Sequence, residues 1–198
     1  MQAALKRLFD IAVAATLLLI LSPLFVLIAV LVRFNLGSPI LFRQQRIGKG
    51  EKPFEFIKFR TMCNGNAPDA ERLTPFGSWL RATSLDELPE FWNILIGEMS
   101  FVGPRPLLPR YLPFYTPREA TRHHVRPGLT GLAQVSGRNA VGWDARLELD
   151  AQYVERFSLV LDFTILWRTV MVVFKRHGIS AEGEATMQAF DTYRGGQQ

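Results

Sequence analysis

Hydrophobic positions are unevenly spread along this chain. From Ile11 to Val32 it reads IAVAATLLLILSPLFVLIAVLV, without a charge. A helix needs roughly 20 apolar residues to cross the hydrocarbon core, so this run is long enough. Its length, and the lack of a small-residue cleavage site, make it a poor secretory signal. Ser22-Pro23 interrupts it near the centre. Proline lacks an N–H and clashes with the carbonyl four residues back, so a kink is expected there, and Ser22 could satisfy a freed backbone group. Two topologies follow, a kinked spanning helix or a re-entrant hairpin. Lys6 and Arg7 precede the run, and Arg33, Arg43, Arg46 and Lys49 follow it. Both cationic flanks obey the positive-inside tendency only if the segment turns back. These residues alone leave both topologies open.

Further on the periods shorten. Pro53 to Arg60 alternates as a strand does, with Phe54, Phe56, Lys58 and Arg60 on one face and Glu55, Ile57 and Phe59 on the other. Gly48-Lys49-Gly50 reads as the turn of a hairpin entered from Ile40-Leu41-Phe42. Cys63 to Leu73 is polar and reads as a loop leading into a short helix. Leu88, Phe91, Trp92, Leu95 and Met99 recur at helical spacing, which predicts a helix from Leu85 to Met99. Gly103 to Pro109 is too rich in proline for a helix. Arg126 to Asn139 is punctuated by glycine and predicts loops and short strands. Asp144 to Phe157 predicts a polar-faced helix. Phe163 to Phe174 predicts a very apolar one, carrying Trp167 and Arg168 and ending at Lys175-Arg176. Such a helix packs in a core or lies at a membrane interface. Arg194 to Gln198 is expected to fray. The fold class is α+β, mainly helical, with a short β-hairpin.

The 198 residues allow one compact domain plus a membrane segment. A net charge of +5 suits nucleic acid, anionic lipid or phosphorylated substrates without choosing among them. Cys63 is the sole cysteine, so no intrachain disulfide can form, which fits a reducing cytoplasm. His123, His124 and His177 lack the spacing of a helical zinc motif and read as ordinary polar or phosphate-adjacent residues.

Candidate chemistry centres on Ser84-Leu85-Asp86-Glu87-Leu88-Pro89. One reading is structural: Ser84-x-x-Glu87 matches a helix capping box, and Pro89 suits a first turn. The other is chemical. A helix start lowers a carboxylate's pKa and attracts phosphate. A carboxylate there could attack phosphorus while its neighbour handles a proton or helps hold Mg²⁺. A diphosphate would need cations, and Lys58, Arg60, Arg81, Arg105, Arg126 and Arg138 are available. Three lie in rigid settings: Pro104-Arg105-Pro106, Arg126-Pro127-Gly128 and Gly137-Arg138-Asn139.

In order, the chain carries Lys58-Phe59-Arg60-Thr61-Met62, Thr83 to Pro89, Trp92-Asn93, Met99 to Pro106, Arg126 to Gly131 and Gln134 to Asn139. Together these motifs resemble the bacterial sugar transferase family, the monotopic polyprenol-phosphate phosphoglycosyl transferases, from Lys6-Arg7-Phe9-Asp10 to about Thr169. The chain resembles the minimal form, without the N-terminal membrane helices of larger members. Its tail, Gly178 to Met187, looks like the branch acting on diacetylbacillosamine.

The resemblance implies transfer of a sugar 1-phosphate from a UDP-sugar to polyprenol (undecaprenyl) phosphate, releasing UMP, with Mg²⁺, at the cytoplasmic face of the bacterial inner membrane. Asp86 matches the nucleophile that forms a covalent phosphosugar intermediate, and also the metal-binding carboxylate. Glu87 matches the residue that takes a proton from the lipid phosphate. Ser22-Pro23 matches the break of a re-entrant helix. The implied layout is a membrane-associated segment over 1–36, a cytoplasmic catalytic domain with interfacial helices over 37–186, and a tail over 187–198. UDP-sugar, polyprenol phosphate and membrane lipid are the expected partners, nucleic acid is not, and self-association is left open. The sugar and the glycan pathway are not readable.

Rival readings are weaker. A nucleotide-sugar glycosyltransferase would carry Asp-x-Asp, which does not occur. A tethered nucleic-acid binder would show a lysine-rich stripe or a binding motif. A scaffold without activity leaves the proline- and glycine-fixed arginines unexplained.

Overall fold

The structure, a computed structural model, describes residues 2–136, 142–175 and 189–196. The tail motif from Gly178 to Met187 lies outside them.

The apolar N-terminal run forms two helices, α1 (Gln2–Ile20) and α2 (Ser22–Leu36), bent by 63°. Pro23 stands in the first turn of α2, where a missing N–H costs least. Leu19 O, the carbonyl that proline leaves without a backbone donor, accepts the Ser22 hydroxyl at 2.8 Å. Among the described residues no single helix is long and apolar enough to cross a membrane, but this bent pair passes together by length and composition.

The polar residues of α1 bind the remainder of the chain. Lys6 Nζ lies 2.5 Å from Asp162 Oδ2. Arg7 donates to the carbonyls of Ile94 and Leu95 at 2.6 and 2.7 Å. Buried Asp10 accepts from the Ser100 hydroxyl and the Phe101 N–H at 3.1 and 3.2 Å. Ala14 joins the same core cluster as Phe101 and Ile165. The outer faces differ: Leu8, Leu19, Val26 and Phe34 are exposed, Phe34 to 84%.

The expected hairpin is β1 (Leu41–Ile47) and β2 (Pro53–Phe59), antiparallel, with Leu41 opposite Phe59 and Ile47 opposite Pro53. Its turn is a 3₁₀ stretch, Lys49–Glu51, with Gly50 at φ 64°. Phe54 and Phe56 alternate into the core as predicted. Short helices α3 (Asp69–Arg72) and α4 (Pro75–Ala82) follow, and the Thr74 hydroxyl caps α4 by accepting the Gly77 N–H at 3.0 Å.

The helix predicted over Leu85–Met99 is more segmented. A 3₁₀ turn, Leu85–Glu87, leads through Leu88 and Pro89, both right-handed helical, into α5 (Glu90–Ile96). Gly97, at φ 94°, ends it before Met99. Asn93 docks α5 on β2, donating to Glu55 O at 2.8 Å and accepting the Ile57 N–H at 3.3 Å.

β3 (Ser100–Val102) and β4 (Gly128–Thr130) pair in parallel. A Cβ on Gly128 would stand 2.1 Å from Gly103 N, so glycine alone lets Gly103-Pro104 cross Pro127-Gly128. That crossing fixes the backbone on either side of Arg105.

Between β3 and β4 lies the capped α6 (Pro117–Ala120); after β4 come α7 (Leu132–Val135), α8 (Trp143–Glu155), α9 (Leu159–Lys175) and α10 (Phe190–Gly195). α9 buries Ile165 and exposes Val160, Phe163, Trp167 and Val170, an apolar stripe at helical spacing. Phe163 meets Phe9 of α1 edge-on at 5.5 Å, so that stripe adjoins α1. The C-terminal end departs from expectation. Phe190 is fully buried among Tyr111, Tyr115 and Trp143. Arg194, expected to fray, pairs with Glu119 and lies 3.0 Å from Asp144.

Candidate active site

Ser84 sits at φ 56°, the left-handed region, where a serine is strained. This residue turns the chain out of α4 and into the Leu85–Glu87 turn. Its side chain makes no cap bond, so the capping box is not formed. The two carboxylates are thereby placed by a strained turn rather than by a helix cap.

They face different surroundings. The Asp86 side chain is 5% exposed, with Oδ2 3.6 Å from Lys58 Nζ of β2. Lys58 also stands over the Phe42 ring at 5.9 Å. Burial raises the Asp86 pKa above its usual range; Lys58 opposes this and Glu87 adds to it. A helix start was expected to lower that pKa. Desolvation wins because the carboxylate lies inside the molecule, with Lys58 beyond hydrogen-bond distance. Burial likewise lowers the Lys58 pKa, against Asp86. Glu87 instead accepts a hydrogen bond from Arg105 at 2.8 Å. The Arg105 side chain stays 40% exposed, and Glu87 holds its guanidinium firmly charged.

Beside this turn opens a cavity of about 510 Å³. Arg81, Glu87, Arg105, Arg122, Arg146 and Asp150 form its polar wall. Phe91, Phe101, Leu129, Leu166 and Val170 supply an apolar one. Glu87 lines the cavity, whereas Asp86 is not among its lining residues and stands against Lys58. Guanidiniums around a space of this size suit a polyanion, and the apolar wall suits a chain attached to one.

Of the candidate residues, Lys58, Arg81, Asp86, Glu87 and Arg105 are brought together. Arg81 reaches the cavity from α4, steadied by its Nε donating to Thr61 Oγ1 at 2.9 Å. Arg60 does not join them. It is buried, and its guanidinium donates to Leu36 O, Ser38 O and Asn64 Oδ1, closing the C-terminus of α2. Arg126 is turned away as well, donating from Nε to Gly97 O at 2.7 Å beyond the end of α5. Carbonyls at helix ends carry partial negative charge, which is where these two cations go. Arg138 lies outside the described residues.

Arg122, Arg146 and Asp150 had not been singled out. Arg122 donates to Asp150 Oδ2 at 2.8 Å and to Arg105 O at 2.7 Å, so it holds the Arg105 backbone in place. The signal was legible, since Asp150 falls in the buried stripe of α8 with Leu147 and Ala151, and a carboxylate there needs a buried cation.

Among the described residues no group of three or more His, Cys, Asp or Glu is placed to hold a metal ion. Asp86 and Glu87 still offer hard carboxylate oxygens. Mg²⁺ commonly takes one or two carboxylates and fills its other positions from substrate phosphates and waters, so the donor set of this pair would suit it without an all-protein cage.

The chain matches the family described as bacterial sugar transferase over residues 1–176. It is 46% identical over 192 residues to the uncharacterized sugar transferase EpsL of Bacillus subtilis, covering 94% of this chain and 95% of that one. It is 41% identical over 182 residues to the UDP-glucose:undecaprenyl-phosphate glucose-1-phosphate transferase of Caulobacter vibrioides, covering 83% and 68%. With the undecaprenyl-phosphate galactose phosphotransferase of Salmonella typhimurium it shares 38% over 197 residues, 88% of this chain and 41% of that longer one. The chain belongs to the bacterial sugar transferase family and is a transferase.

Proposed function

We propose that this enzyme transfers a sugar 1-phosphate from a UDP-sugar to undecaprenyl phosphate, releasing UMP, through a covalent intermediate on Asp86. The observation that carries the reading is the strained turn that sets a buried, loosely paired carboxylate beside an arginine-lined cavity. The relatives' names supply the two substrate classes, and they differ in the sugar.

In the first step the Asp86 carboxylate attacks the phosphorus that bears the sugar. A bond forms from Oδ to phosphorus, the bond to the bridging oxygen breaks, and UMP leaves with that electron pair. Lys58, Arg81 and Arg105 neutralise charge on the phosphate oxygens. In the second step an oxygen of the lipid phosphate attacks the same phosphorus, Glu87 takes its proton, and Asp86 is released as carboxylate. Asp86 would be the residue to hold Mg²⁺, which would supply further charge neutralisation. The apolar wall of the cavity receives the start of the lipid chain.

The bent α1–α2 pair enters the membrane as a re-entrant hairpin from the cytoplasmic side. Both cationic flanks and the Ser22–Leu19 bond, which satisfies the broken ladder, support this. The exposed stripe of α9, with Trp167 at 66%, lies in the interface alongside. In a Cys63→Ser background, single cysteines at Gln2 and Asn35 label from the same side; labelling from opposite sides means a spanning helix.

A rival assignment rests on the cavity lining. Glu87 faces the cavity directly, so in this alternative Glu87 is the nucleophile and Asp86 assists. Mass spectrometry of enzyme incubated with UDP-sugar and Mg²⁺, without lipid, decides between them. A phosphosugar on Asp86 is expected. An adduct on Glu87 reverses the roles, and no adduct on either removes the covalent route.

A further inference from the structure

Glu90 is a third carboxyl beside the pair, and the mechanism above gives it no work. It is 1% exposed, and its Oε1 is buried without a hydrogen-bond partner. Leaving a carboxyl oxygen buried and unpaired is costly, so the position calls for an account. The chain from Leu85 into α5 stays right-handed helical through Leu88 and Pro89. Residues three and four apart then share one face, which puts Glu90 one turn below both Glu87 and Asp86.

We propose that Glu90 is a positioning residue for the carboxylate pair, orienting Glu87 by a hydrogen bond when the diphosphate draws Arg105 away. The inference rests on the functional reading above. The charges that act most on Glu90 are those of Glu87, Arg105, Lys58 and Asp86. Arg46 of β1 feels it as well. From α1, which packs on α5, Arg7 is engaged at the opposite end of the helix by the carbonyls of Ile94 and Leu95. Burial, then Glu87, push the Glu90 pKa well above the usual carboxylate range. A neutral carboxyl both donates and accepts, so it can hold Glu87 without adding a third negative charge beside an incoming phosphate. While Arg105 occupies Glu87, Oε1 stands unpaired. Once phosphate oxygens compete for Arg105, Glu90 takes its place on Glu87.

The test separates volume, polarity and charge at one position. Glu90→Gln keeps shape and both hydrogen-bonding capacities; Glu90→Met keeps only volume. A panel of UDP-sugars is screened first, and the donor that the wild-type enzyme turns over is used, with undecaprenyl phosphate as acceptor. Glu90→Gln is expected to turn over near the wild-type rate. Glu90→Met is expected to lose about tenfold or more in kcat, the scale of removing an orienting partner, with the donor KM and the unfolding temperature unchanged. Wild-type kcat in Glu90→Met makes Glu90 a space-filler and overturns the proposal. Glu90→Gln as slow as Glu90→Met also overturns it, because an ionised carboxylate is then required. If Glu90→Met does not fold, Glu90→Asp serves, since it draws the carboxyl back by one methylene. It should form the adduct at the wild-type rate and pass it slowly to the lipid, and unchanged rates in both steps sink the idea. A wild-type enzyme that turns over the donor yet forms no adduct on Asp86 counts against the underlying mechanism instead, so the two failures are distinguishable.

Discussion

Asp150 and Asp86 are both buried carboxylates beside a cation, and the two pairs are built differently. Asp150 receives a hydrogen bond from Arg122 at 2.8 Å, and both side chains are almost wholly enclosed. Asp86 stands 3.6 Å from Lys58, whose side chain keeps some exposure. Burial raises both carboxylate pKa values. Arg122 presents a rigid fork that also binds Arg105 O, so its directional capacity is used within the fold. Lys58 is a compact charge that favours an ionised Asp86 without fixing its oxygens. The closed pair holds the cavity wall in shape, and the open pair leaves the Asp86 oxygens unfixed, as the proposed nucleophile requires.

The largest expected effect breaks the open pair. Asp86→Asn should lower turnover by about a thousandfold or more, as losing an essential covalent group does, and should abolish the phosphosugar adduct. Its thermal unfolding should change little, because the contact removed is loose. Residual turnover above a few per cent would take Asp86 out of the nucleophile's role.

Breaking the closed pair should do the reverse. Arg122→Met strands Asp150 in the interior, which costs about 3–5 kcal/mol of stability. Urea denaturation measures this directly. Unchanged stability would mean that the two pairs do not differ in kind. The fraction that stays folded should still form the adduct on Asp86.

How far each pair was legible in the sequence follows from what holds it. The break at Ser22-Pro23 and the β1–β2 hairpin could be read because proline chemistry and strand alternation act locally. Asp86, Glu87, Lys58, Arg81 and Arg105 were each visible as chemistry, but not the geometry that sets Glu87 on the cavity and Asp86 against Lys58. That depends on Ser84 adopting φ 56°, which composition does not announce. Arg60 and Arg126 misled because a long side chain goes where tertiary structure leaves open carbonyls, at the ends of α2 and α5. Helix α7 has four residues, too few for a period to show. Docking of α10 combines one phenylalanine entering an aromatic nest with the Arg194 ion pairs, and neither follows from local pattern.

A smaller effect tests the division of labour within the open site. On the proposed mechanism Glu87→Gln removes the proton acceptor; it also weakens the bond with Arg105, while leaving Asp86 ionisable. Overall turnover should fall about a hundredfold, the scale of a general base, with the adduct still forming on Asp86. Burst kinetics of UMP release would show one rapid turnover followed by a slow phase. Loss of the burst together with steady-state turnover would assign Glu87 to the first step.

The smallest effect is a displacement of the pH profile, and its sign distinguishes the pairs. On the proposed mechanism Asp86 must be ionised to attack, so adduct formation should rise as pH climbs through its pKa. Burial has already moved that pKa above 3.8, and Lys58 is the main influence holding it down. Removing the cation in Lys58→Met lets the Asp86 pKa rise further, so the acid limb of adduct formation should move to higher pH. Linkage gives the matching sign for stability: a carboxyl whose folded pKa exceeds its unfolded value favours the folded state while protonated, and that contribution is lost as pH rises through the folded pKa. In Lys58→Met that loss should fall at a higher pH than in wild type. Arg122→Met, which touches the other pair, should leave the limb where it is. A limb that stays fixed in Lys58→Met, or shifts to lower pH, would show that Lys58 does not govern the ionisation of Asp86.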